Sequence, residues 1–96
     1  MDIESVKHKS LKRLLERGEA KGLPTELSDR IIKMISVLIL ADDLDWFQAN
    51  APRGWHLHQL TGSRRGTWSL SVSGNWRLTF RVQARTIYEL NLEDYH

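Results

Sequence analysis

Apolar positions follow two different periods along this chain, and the change between them falls near its middle. Lys9 to Arg17 carries Leu11, Leu14 and Leu15 on one side and basic residues on the other, the spacing of a short amphipathic helix. Gly18 and Gly22 bracket its end, and Pro24-Thr25 prepares the next start, with Thr25 as N-cap. A second helix is predicted from about Glu26 to Leu40, where Leu27, Ile31, Met34, Ile35 and Leu38 recur at helical spacing. Ile32, Val37 and Ile39 lie outside that stripe, so the second half is apolar nearly all round. Such a helix is either sandwiched between a sheet and the first helix or covered in part by a partner protein. Ahead of both helices, Ile3 to Val6 reads as a short strand.

From Trp55 onward the period becomes two. Trp68, Leu70 and Val72 alternate with Thr67, Ser69 and Ser71; Trp76, Leu78, Phe80 and Val82 alternate with Arg77, Thr79 and Arg81. Tyr88, Leu90 and Leu92 alternate with Glu89 and Asn91. These are half-buried antiparallel strands with one apolar and one polar face. Opposed residues share a face, so Val72 should oppose Trp76, Leu70 oppose Leu78, and Trp68 oppose Phe80, around a turn of Ser73-Gly74-Asn75. The same parity puts Trp55 and Leu57 on the core face. His56 and His58 then join Arg77 and Arg81 on the polar face, with His58 near Thr67. The expected fold is therefore α+β: a short N-terminal strand and two helices packed on a twisted antiparallel sheet. At 96 residues it forms one domain, residues 1–96.

Composition narrows the class. Hydrophobic residues make up 41% and charged residues 27%, ordinary for a soluble globular protein. With no cysteine, disulfide frameworks and thiolate metal sites are excluded, and a cytoplasmic setting is expected. Met1 to Arg17 has no apolar core of a secretory signal, and Ile31 to Ala41 is too short and too interrupted to span a bilayer. The net charge of +2 hides an asymmetry. Between Trp46 and Tyr88 there is no carboxylate, yet Arg53, Arg64, Arg65, Arg77, Arg81 and Arg85 fall there, beside an acidic patch at Asp42, Asp43 and Asp45. The planar arginine fork suits phosphate. A concave, cationic, carboxylate-free face is what an RNA or another polyanion needs.

The candidate chemistry follows from that face and from Glu93-Asp94-Tyr95-His96. Breaking a phosphodiester bond without a metal needs a base for the ribose 2′-hydroxyl, an acid for the leaving oxygen, and cations for the extra phosphorane charge. His58, Asp94 and His96 are candidates for the proton transfers, with Tyr95 as donor or base platform and Arg77 as phosphate clamp. Arg81, Arg64 and Arg65 are candidates for holding the RNA. Metal binding is not expected, because no cysteine or carboxylate stands at ligand spacing from the histidines. Gly62-Ser63-Arg64-Arg65-Gly66 lacks the lysine and following helix of a phosphate-binding loop and reads as a basic hairpin loop. Asp94 and His96 share the parity of Leu90 and Leu92, so reaching His58 requires a bend after Leu92.

Several blocks in combination resemble the HigB toxins of the RelE/ParE superfamily. They are Lys7 to Lys12, Gly54-Trp55-His56-Leu57-His58-Gln59-Leu60-Thr61-Gly62, Gly66 to Val72, Gly74-Asn75-Trp76-Arg77-Leu78-Thr79-Phe80, and the closing Glu93-Asp94-Tyr95-His96. The resemblance implies a toxin that enters the ribosomal A site and cuts mRNA without a cofactor. It implies inhibition by a cognate HigA-like helix-turn-helix antitoxin, with operator DNA met only through that antitoxin and no role at a membrane. His58, Asp94, Tyr95 and His96 match the family's functional set, and Arg77 matches its N-W-R arginine. Relatives commonly carry proline at 59, lysine at 61 and tyrosine at 67, where this chain has Gln59, Thr61 and Thr67. The alternative from the same superfamily is a binder without catalysis: a ParE-like gyrase inhibitor, or a degenerate toxin kept as its antitoxin's co-repressor.

Overall fold

The structure is a computed structural model in which residues 1–94 are described. The chain runs β1 (Asp2–Ile3), α1 (Lys9–Arg17), α2 (Ser28–Leu40), α3 (Leu44–Asn50), a 3-10 turn (Arg53–Trp55) and β2 (His58–Gln59). A second 3-10 turn (Gly62–Arg64), β3 (Thr67–Ser71), β4 (Trp76–Gln83) and β5 (Thr86–Asp94) follow. Among the described residues the strands form one five-stranded sheet in the order β1-β5-β4-β3-β2.

α1 begins and ends where its pattern says. His8 caps its start by accepting from the Leu11 amide at 3.3 Å, and Gly18, at φ 71°, closes it in the left-handed conformation that glycine adopts at no steric cost. α2 starts two residues later than expected, at Ser28, and Thr25 is not its cap. Leu27 occupies that position without a side-chain bond, and Thr25 instead offers its carbonyl to the Ser28 hydroxyl at 3.1 Å. Ile31, Met34, Ile35 and Leu38 are buried as one stripe. The helix is not sandwiched: Ile32, Ile39 and Leu40 are exposed on its outer side. At its end the Met1 amino group donates to the carbonyls of Leu38, Ile39 and Ala41.

A third helix lies where the sequence suggested only an acidic patch. The Asp43 carboxylate accepts from the Trp46 amide at 2.8 Å, and Asp45 sits in the first turn. Both are favourable at a positive helix terminus. α3 seats the fully buried Phe47 against Trp55, ring centroids 6.3 Å apart. Trp55 therefore belongs to a 3-10 turn rather than a strand, and β2 starts only at His58.

The β3–β4 hairpin has the expected register, with Trp68 opposite Phe80 and Leu70 opposite Leu78, and Val72 donating to the Trp76 carbonyl at 2.9 Å. The sheet is mixed, not purely antiparallel, because β1 runs parallel to β5. Hairpin-linked neighbours must be antiparallel; β1 is separated from β5 by most of the chain and is free of that constraint. The expected strand over 3–6 is reduced to Asp2–Ile3 plus a bridge from Val6 to Leu90.

Candidate active site

Strand pairing lays the polar face out in three rows. One holds His58, Ser69, Thr79 and Asn91; the next Ser71, Arg77 and Glu93; the third Thr67, Arg81 and Tyr88. His58 is thus level with Ser69, not Thr67. The two-residue shift keeps its face and moves it toward the β3–β4 turn, because the intervening segment spends residues on the 62–64 turn. A cavity of about 290 Å³ opens at that end, lined among others by His58, Ser69, Ser71, Trp76 and Arg77.

His58 is exposed, and its Nδ1 lies 2.8 Å from the His56 carbonyl oxygen. A carbonyl can only accept, so Nδ1 carries the proton and the neutral ring keeps its lone pair at Nε2. His56 presents that carbonyl from a left-handed backbone, φ 48°, which is uncommon for a residue with a side chain and clusters at functional sites.

The centre of the face is not carboxylate-free. Glu93 stands beside Arg77, receives two bonds from the Arg64 guanidinium (2.8 and 2.6 Å) and accepts from the Thr79 hydroxyl. The Arg64 hydrogen bonds hold its carboxyl at about 2, below its usual 4.5; the Thr79 bond and the charges of Arg64 and Arg77 add to this against the opposing effect of burial. Arg64 comes from between β2 and β3, so reaching β5 takes it across β3 and β4, roughly 10 Å of sheet. Beneath that span Ser69 and Thr79 are each 1% exposed. Among the described residues no three His, Cys, Asp or Glu side chains group as a metal site.

Comparison with known proteins is consistent along the whole chain. Residues 4–96 match a family model described as the RelE-like toxin of the type II toxin–antitoxin system HigB. The chain belongs to this toxin family. It is 39% identical over 94 residues to the protein named Endoribonuclease HigB of Proteus vulgaris, covering 98% of this chain and 99% of that one. The fold is shared with a mutant YafQ from E. coli, at TM-score 0.64 and 18% identity over 97% of this chain and 91% of that one. It is also shared with a YoeB/ParE toxin from Agrobacterium tumefaciens, at TM-score 0.57 and 12% identity over 100% and 99%.

The arginines of this toxin divide by partner. Arg77 lines the cavity with His58. Arg64 is engaged by Glu93, and Arg81 reaches the Arg65 carbonyl and the Thr67 hydroxyl, each at 3.5 Å. Arg85 lies away from the cavity, donating to the Asp42 carbonyl at 2.9 Å. Arg65 is exposed on the loop. Among the described residues no bend follows Leu92: β5 stays paired through Asp94, which is exposed and level with Trp76. Strand alternation therefore turns Asp94 to the side opposite Glu93 and His58. Tyr95 and His96 lie outside the described residues. Tyr88 was expected on the core face with Leu90, but a bulge between Thr79 and Arg81, with Glu89 at φ 54°, resets the alternation and pairs Tyr88 with Arg81. From the sequence, Glu93 has no role within the terminal run, and the small hydroxyls of Ser69 and Ser71 have none either. Their signal was parity: Glu93 follows the core residue Leu92 and must share Arg77's face.

Proposed function

We propose that this endoribonuclease toxin of a type II toxin–antitoxin system cuts mRNA in the ribosomal A site by metal-free attack of the ribose 2′-hydroxyl. The observation that carries this reading is the shared cavity of His58 and Arg77, with the lone pair of His58 left at Nε2. That nitrogen can take or return a proton, and Arg77 supplies a forked cation for the phosphate. Asp94, Tyr95 and His96 complete the proton-transfer set on the family resemblance. In support, β5 brings Asp94 level with Trp76, which lines the same cavity. Arg65 is the second phosphate contact, whereas Arg64 and Arg81 act on the RNA through the loop they anchor.

The toxin is held inactive by a cognate helix-turn-helix antitoxin, meets operator DNA only through it, and works in the cytoplasm, where ribosomes and mRNA are. The test is cleavage of a defined mRNA on purified programmed ribosomes by wild type, His58→Ala and a variant lacking His96. Wild type should leave a 2′,3′-cyclic phosphate or 3′-phosphate end, and both variants should slow the cut by at least about 100-fold. A free 3′-hydroxyl end excludes 2′-hydroxyl attack. Growth arrest with intact mRNA turns the assignment to a non-catalytic binder.

A further inference from the structure

We propose that Glu93 is a positioning residue, acting through Arg64 to hold the 61–66 loop across the sheet and so fix His58 at the cavity. The inference rests on the ribonuclease reading of that cavity and adds a residue the proton-transfer scheme does not use. Backbone closes the loop at its neck, where the Leu60 amide donates to the Thr67 carbonyl at 2.8 Å, but holds its tip only through Arg64 donating to the Thr61 carbonyl at 3.4 Å and Arg65 to the Gly62 carbonyl at 3.2 Å. One side-chain pair does more, and a second contact adds a longer bond. On one side Arg64 makes its forked, charge-assisted pair with Glu93, a strong and directional geometry. On the other, Arg81 supports the loop from the sheet, reaching the Arg65 carbonyl at 3.5 Å. Gly66, at φ +95°, lets the chain pass so close that a β-carbon there would stand 3.0 Å from the Arg81 guanidinium.

The loop matters to His58 because β2 is only two residues long and lies at the sheet edge. Its pairing is His58 with Ser69 and Gln59 with Trp68, extended by the Leu60 amide donating to the Thr67 carbonyl at 2.8 Å, after which the chain enters the loop. A strand this short has few pairing bonds of its own, so the segments on either side share in holding it. On the upstream side stands His56 in its left-handed turn; on the downstream side stands the loop that Arg64 ties to β5. The chain of support therefore runs from Glu93 to Arg64, to the loop, to β2, and to the imidazole. The same pair keeps Arg64 from acting as an independent phosphate contact.

The test compares wild type, Glu93→Gln, Arg64→Ala, the double variant and Arg64→Lys. Two readouts are used: amide hydrogen exchange over residues 58–66 of the free protein, and cleavage on programmed ribosomes with kcat and KM separated. Glu93→Gln should speed exchange in the loop and lower kcat by about tenfold or more with KM changed less than about twofold, since small misplacements near reacting groups are that costly. The double variant should be no worse than either single one. Arg64→Lys keeps the charge but loses the fork, and should show the same kcat loss even where Glu93→Gln folds poorly. Unchanged exchange, additive losses, or a fall in KM at constant kcat would overturn the proposal, the last by showing that Glu93 merely competes with RNA for Arg64. If wild type does not cut ribosomal mRNA, the ribonuclease reading has failed, and exchange still decides whether Glu93 holds the loop.

Discussion

Replacing Glu93 with glutamine removes one charge from the middle of the sheet face while keeping an acceptor for Thr79. It should make the acid limb of stability shallower. In the folded protein the Glu93 carboxyl sits at about 2 against an ordinary 4.5. A group lowered on folding adds stability that is fully present above its unfolded value and is lost as pH falls toward its folded one. The window for this residue therefore runs from just above 4.5 down to about 2. That lowering corresponds to about 3–4 kcal/mol at ~1.4 kcal/mol per tenfold. The Arg64 side chain is 41% exposed and that of Glu93 21%, so solvent screens part of the attraction. A contribution of about 1–2 kcal/mol remains. The assay is urea unfolding of wild type and Glu93→Gln at intervals from pH 7 to pH 3, because the difference isolates this carboxyl from the other acids titrating in the same range. The variant should be about 1–2 kcal/mol less stable at pH 7, about 4–15 °C in melting temperature for a domain of this size, with the gap closing below pH 4.5. Parallel curves down to pH 3 would refute the reasoning.

Three smaller outcomes are expected. His8 is lowered by burial and caps α1 through an acceptor nitrogen, so protonation opposes folding and stability should fall as pH drops below 6.5; His8→Asn keeps a cap and should flatten that slope in unfolding curves between pH 7 and pH 5. Glu89→Gly relieves a left-handed backbone at φ 54° and should be neutral to about 1 kcal/mol stabilising by thermal melt, whereas Glu89→Val should destabilise by more than about 1 kcal/mol. Gly66→Ala, at φ +95° and against Arg81, should lower stability by about 1–2 kcal/mol in the same assay.

The sequence made the β3–β4 register legible because a three-residue turn leaves one arrangement in which Leu70, Leu78, Trp68 and Phe80 share the core side. It made α1 legible down to its glycine cap. Helix α3 was missed although its start signal, Asp43 before Leu44-Asp45-Trp46, was present, because seven residues are too few for a periodic stripe. The bulge at Glu89 could not be seen: Tyr88, Leu90 and Leu92 alternate without a flaw, and neither glycine nor asparagine marks the left-handed residue. Its stabilising contacts come from the far end of the chain, where Ser5 bonds both the Glu89 and Leu90 amides. The carboxylate-free face failed for a similar reason. A window along the chain does not register that β5 lies beside β4 and carries Glu93 into line with Arg77.

Those corrections move the proposed chemistry from the centre of the face to its end. Glu93 and Asp94 are neighbours, yet alternation sends them to opposite sides of β5, so they cannot do the same job. Glu93, on the His58 side, is committed to Arg64 and Thr79. Asp94 is level with Trp76 at the last paired position of β5. For Asp94 to share a substrate with His58, the RNA must pass around the end of the sheet at Ser73-Gly74-Asn75, where the cavity opens, and not across the rows of Thr67 and Arg81. That route also explains why two candidate cations can be spent on anchoring a loop without emptying the site of positive charge. Arg77, the arginine nearest that end, lines the cavity itself. On this geometry Arg77→Ala should impair cleavage far more than Arg85→Ala, whose guanidinium is held at Asp42.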